Sequence, residues 1–176
     1  MTSWGVRGPG AAMAAALLLL VFSASAVAGP FAAVPESLLR AGAQFESLLA
    51  ETRELTDSKL SRPQLTGAEQ SAIPLAASVM SDLRHLKSIN AALMNDFLFI
   101  NSNPPEGTLE KMTALTLAYM KDVALPQCRS FRANADALAA NTDPQFAFMG
   151  KKISQVFSRY IAFLEKGIDL LQAARR

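Results

Sequence analysis

Cysteine, histidine and tryptophan are nearly missing from this chain: each occurs once in 176 residues. The single cysteine, Cys128, excludes an internal disulfide, and an odd thiol in an oxidising compartment is expected to be buried as a small hydrophobe. One histidine and one cysteine cannot furnish an ordinary zinc set without carboxylates. A dinuclear site of the bundle type requires repeated Glu-x-x-His pairs, which the chain does not contain. It also has no Cys-x-x-Cys-His haem attachment and no Gly-rich phosphate or dinucleotide loop. No metal and no cofactor is expected.

Charge is sparse and balanced. There are 17 Lys+Arg against 15 Asp+Glu, for a formal net charge of +2. The basic residues are scattered apart from Lys151-Lys152 and Arg175-Arg176. Phosphate backbones are held by concentrated positive stripes, so nucleic acid is excluded as a partner. His85 has Asp82 three positions earlier, close enough on one helical turn to orient an imidazole, but no nucleophile accompanies the pair.

Apolar residues, by contrast, make up 51% of the chain. Residues 11–22 form an uncharged apolar run preceded by Arg7, and Ala26-Val27-Ala28 supplies the small-x-small pattern accepted by a signal peptidase. The run is shorter than the roughly 20 residues that span a hydrocarbon core. Residues 1–28 are therefore expected to be a cleavable export signal, followed by a short extension at 29–34 and one helical domain at 35–176. The destination is the periplasm or the exterior, with an organelle lumen as the alternative. Removing the signal removes Trp4 and Arg7 and brings the charge closer to neutral.

The domain reads as all-α. Leu38, Ala41, Phe45, Leu48, Thr52 and Leu55 recur in steps of three and four from a start near Pro35, widened by Leu39 and Leu49. Residues 61–74 read as a loop. Val79, Leu83, Leu86, Asn90, Leu93, Phe97 and Ile100 form the second stripe, with Asn90 as a polar member expected to fix register. A third helix is expected from an N-cap at Thr108, with Leu109, Met112, Leu115, Tyr119 and Val123 inward, kinked or split near Pro126. Its second piece places Cys128, Phe131, Ala135 and Leu138 on the inner side. Asn141 and Thr142 supply the next stop and cap, and a long helix runs from Pro144 to about Ala174. Four such rods with short connections predict an antiparallel four-helix bundle.

Such a chain has more apparatus for binding than for side-chain chemistry. The expected role is a non-enzymatic protein-binding or accessory subunit of a periplasmic, lumenal or extracellular assembly, whose partner is another exported or membrane-associated protein. The expected contact surface is Phe99 with the turn Asn101, Ser102, Asn103, Pro104, Pro105, Glu106 and Gly107, with Lys151 and Lys152 at its rim. The alternative is a carrier of a small hydrophobic ligand, a lipid or pigment, enclosed by Phe45, Met94, Phe97, Met112, Tyr119, Phe157 and Tyr160. An enzyme with an unrecognised polar site is the third reading.

Overall fold

The structure, a computed structural model, describes residues 31–175. The segment expected to be an export signal, 1–28, and the first two residues of the expected 29–34 extension lie outside them. The order of elements is α1 (Val34–Leu60), α2 (Gly67–Asn101), α3 (Glu106–Tyr119), a π-helical turn π1 (Met120–Ala124), α4 (Leu125–Ala139) and α5 (Pro144–Ala173). α3, π1 and α4 join into one rod, so four rods alternate in direction around one core. No strand occurs among the described residues, and none of their helices is long and apolar enough to cross a membrane.

Each rod begins where local chemistry provides for its unpaired amides. Thr66 caps α2: its hydroxyl accepts from the Glu69 amide at 3.2 Å, and the Glu69 carboxylate accepts from the Thr66 amide at 2.8 Å. The helix therefore starts at Gly67, and the expected loop at 61–74 is only about half as long. Pro74 lies inside α2, its ring exposed, because the capping box has already fixed the helix upstream. α3 starts at Glu106 on Pro105, not at Thr108, and no side chain caps it. The cap of α5 is Asp143, not Thr142: its carboxylate accepts from the amides of Gln145 and Phe146, each at 3.0 Å.

Core residues follow the expected stripes in three rods. Leu38, Phe45 and Leu48 of α1 are buried, as are Val79, Leu83, Leu86, Asn90, Leu93, Phe97 and Ile100 of α2. So are Phe146, Met149, Ile153, Phe157, Tyr160, Leu164, Ile168 and Leu171 of α5, while Ala41, Leu55, Val156, Phe163 and Leu170 are half-buried beside them. Phe31 and Val34 also join this core, Phe31 against Phe97 with ring centroids 5.8 Å apart. Leu39, expected to widen the α1 stripe, faces solvent.

The third rod departs most from expectation. The inward residues of α3 are Thr113, Thr116 and Leu117, while Leu115 is 64% exposed and Leu109, Met112 and Tyr119 are half-buried on its flank. The buried positions Thr113 and Thr116 of α3 and Met120 and Ala124 of π1 each lie one residue after the expected Met112, Leu115, Tyr119 and Val123. Pro126 opens α4, where its missing amide falls in the first turn.

Two ends result. The connections 61–66 and 140–143 lie at one, hereafter the lysine end. Residues 102–105 lie at the other, the turn end, together with Phe31 and the close of α5.

Candidate functional site

Three polar constellations stand out against the apolar core. The first is at the lysine end. Lys59, in the last turn of α1, is only 4% exposed. Its ammonium donates to Asp143 at 2.7 Å and pairs with Glu69 at 2.9 Å. Arg62 donates to the same Glu69 oxygen at 2.9 Å, and the Phe146 ring lies 5.9 Å from the ammonium. One cation thus joins the C-terminus of one helix to the caps of two others, with each charge at the helix end whose dipole favours it.

The electrostatics follow from these contacts. The Asp143 hydrogen bond, aided by Glu69, outweighs burial and raises Lys59 above the ordinary lysine value. The Thr66 amide and Lys59 hold Glu69 below the usual carboxylate range. Burial alone would raise Asp143, but Lys59 and the Phe146 and Gln145 amides lower it. A lysine so firmly protonated serves as a tie between helices and not as a base or nucleophile. The capping-box spacing Thr66-x-x-Glu69 was the available sequence signal for part of this cluster. Lys59 and Asp143 carry no such mark, because 84 positions separate them.

The second constellation is buried mid-bundle. Asn90 donates to the Leu38 carbonyl at 2.9 Å and accepts from the Tyr160 hydroxyl at 3.1 Å. Three rods are interlocked, the register role expected of Asn90. Gly42 makes the approach feasible, since a Cβ there would stand 3.2 Å from the Asn90 amide nitrogen. Asp82 and His85, expected side by side, share no hydrogen bond: Asp82 accepts from Asn134 at 2.8 Å, and exposed His85 tilts against Phe131. Burial raises the Asp82 carboxyl, while Asn134 and the nearby His85 oppose that rise. Cys128 is fully buried, which pushes its thiol up to about 12 and leaves no thiolate at neutral pH.

The third is the turn end. Asn101 donates to the Phe31 carbonyl at 3.1 Å, and the Ser102 hydroxyl donates to the Phe99 carbonyl at 2.7 Å, so both serve the fold. Asn103 has φ 57°, in the left-handed region that asparagine tolerates. Pro104 is half-buried, and Pro105, Glu106 and Gly107 are exposed, the last two already in the first turn of α3. Leu98 and Phe99 are 44% and 41% exposed. The Thr116–Asp96 hydrogen bond, 3.1 Å, sets α2 against α3. From that register Phe99 and Leu115 fall on the outer side of the same seam.

Lys151 and Lys152 do not join this surface. They lie near the start of α5, at the other end of the bundle, roughly 30 Å away at 1.5 Å per residue. Lys152 pairs with Glu51 of α1. Of the residues expected to enclose an apolar ligand, Phe45, Phe97 and Phe157 are fully buried and Tyr160 nearly so. Phe45 meets Tyr160 edge-on at 5.2 Å. Met94, Met112 and Tyr119 are half-buried. Among the described residues, no three metal-ligating side chains converge. Compared with family models, curated proteins and solved structures, the chain matches none.

Proposed function

We propose that this chain is an exported, non-enzymatic protein-binding subunit of an assembly beyond the membrane it crosses, and that it docks through the turn end. The exposed pair Phe99 and Leu115, set on the outer side of the same α2–α3 seam by the Thr116–Asp96 register, is the observation that carries the reading. Large side chains left exposed together beside a polar rim are characteristic of protein contact sites. The export segment at 1–28 supplies the compartment, and Lys151-Lys152 has no part in the contact.

The test is capture of partners from the exported fraction by the intact chain and by a Phe99→Ser/Leu115→Ser variant. Leu115 is largely exposed but Phe99 is more than half covered, so the variant should lose about 1–3 kcal/mol, and its helical fold is verified by thermal unfolding before capture. Loss of the captured protein supports the turn end as the docking face. Undiminished capture by a folded variant refutes it.

A further inference from the structure

Three of the six large apolar side chains left exposed among the described residues, Leu39, Leu60 and Leu98, belong to one face of the bundle, the outer side of α1 and α2. The exposed Glu46–Lys87 ion pair marks that face, because it bridges the two helices from their solvent side. Seven residues bring a helix almost back to the same side. On α1 the sevens from Glu46 run through Leu39, Arg53 and Leu60. On α2 those from Lys87 run through Ile73, Met80 and Met94, with Leu98 one turn beyond. One turn from the ion pair, the exposed positions are Ala43 and Ala50 on α1 and Ala91 on α2. Such short side chains let a second pair of helices approach closely.

The charges on this face are divided by helix. α1 contributes Glu46 and Asp57 against Arg53, and α2 contributes Arg84 and Lys87. Among the described residues Arg84 has no acidic partner. The face is therefore acidic along one rod, basic along the other, and apolar towards both ends. α1 is 27 residues long, about 40 Å at 1.5 Å per residue, and two rods side by side span about 20 Å. Covering that face buries about 800 Å² on each subunit, the size of a standard specific interface.

We propose that this face pairs with its own copy in a parallel homodimer, about a twofold axis running along the rods. That axis lays α1 of each subunit over α2 of the other. Glu46 then meets Arg84 and Lys87 of the partner subunit, Leu39 meets Met94 of the partner subunit, and Leu60 meets the partner subunit's Ile73. A twofold axis across the rods would instead set the basic face of α2 against itself, which like-charge repulsion opposes. In the parallel dimer both turn ends point the same way. The seam carrying Phe99 and Leu115, on the other side of α2, stays uncovered, so the dimer and the docking face stand without each other.

Sedimentation equilibrium of the purified protein tests this. A dimer is expected, with a dissociation constant of about 1–100 µM. Leu39→Glu/Leu98→Glu should raise that constant at least about tenfold. Glu46→Lys and Lys87→Glu, made separately, should each weaken the homodimer to a similar degree, because each opposes like charges across the twofold axis. Mixed in equal amounts, these two variants should form a heterodimer about as tight as the parent, since opposite charges again face each other at both crossings. That rescue also shows that both variants fold. Phe99→Ser/Leu115→Ser should leave the constant unchanged. The proposal is overturned by a monomer up to about 500 µM, by undiminished dimerisation of Leu39→Glu/Leu98→Glu, by no heterodimer in the mixture, or by dissociation in Phe99→Ser/Leu115→Ser.

Discussion

Asn90, Tyr160 and Gly42 form the tightest residue-scale dependence in the molecule. The asparagine amide reaches the Leu38 carbonyl past residue 42, where a Cβ would stand 3.2 Å from its nitrogen and push it aside. Glycine inside a helix costs up to about 1 kcal/mol relative to alanine, so its presence in α1 is explained by this neighbour. Asn90→Ala leaves the buried Tyr160 hydroxyl without its acceptor and should cost about 1–3 kcal/mol. Gly42→Ala alone should gain little, because the new methyl displaces the amide. In the Asn90→Ala background the same change meets open space and should stabilise by about 1 kcal/mol. Urea unfolding of the four proteins tests this, and strictly additive changes would contradict the coupling. Asn90 was recognisable in sequence as the polar member of an apolar stripe. Its partners were not, since 52 and 70 positions separate them from it.

At the scale of elements, two glycines of α5 serve different neighbours. A Cβ at Gly150 would stand 2.3 Å from the Ala139 backbone nitrogen, so accommodating it means moving the end of α4. At Gly167 the obstacle is the mobile tip of Met120. Gly150→Ala should therefore destabilise by about 2–3 kcal/mol through overpacking, and Gly167→Ala by less than about 1 kcal/mol after its gain in helix propensity. Thermal unfolding distinguishes them, and equal losses in Tm would refute the close α4–α5 approach. The helices themselves were largely legible: the α1, α2 and α5 stripes emerge from three-four spacing because each rod has one buried side. The third rod was misread by one residue, because Met112, Leu115, Tyr119 and Val123 keep the same three-four spacing as the buried Thr113, Thr116, Met120 and Ala124. Thr113 and Thr116 are buried where Leu115 fitted the pattern. At Pro74 a proline was taken for a boundary although a capping box at Thr66 and Glu69 lay before it.

For the whole molecule, Lys59 ties the closed end together. Lys59→Met leaves Glu69 and Asp143 facing each other without their shared cation, and should cost about 3 kcal/mol near neutral pH. The carboxyls of Glu69 and Asp143 lie below their ordinary 4.5 and 3.8, so their stabilisation is complete above those values and is lost as pH falls through the lower folded ones. Lys59 lies above its ordinary 10.5, so its contribution is complete below that value and is lost as pH rises through the higher folded one. Asp82, raised by burial, acts in the opposite sense and recovers a little stability on protonation. Urea midpoints should form a plateau between roughly pH 5 and 10, and the deficit of Lys59→Met should shrink in acid as both carboxylates protonate. A deficit independent of pH would show that lost packing, not charge, is responsible. The sequence by itself determined the helical class, the number of rods and most of the core, because periodic burial is written in neighbouring residues. Only the tertiary structure decided that Lys59, Glu69 and Asp143 meet, that Lys151-Lys152 lies far from the Asn101–Gly107 turn, and that α3 turns Leu115 outward. Those facts depend on which helix ends share a space and on which face of α3 meets its neighbours, and spacing along one chain encodes neither.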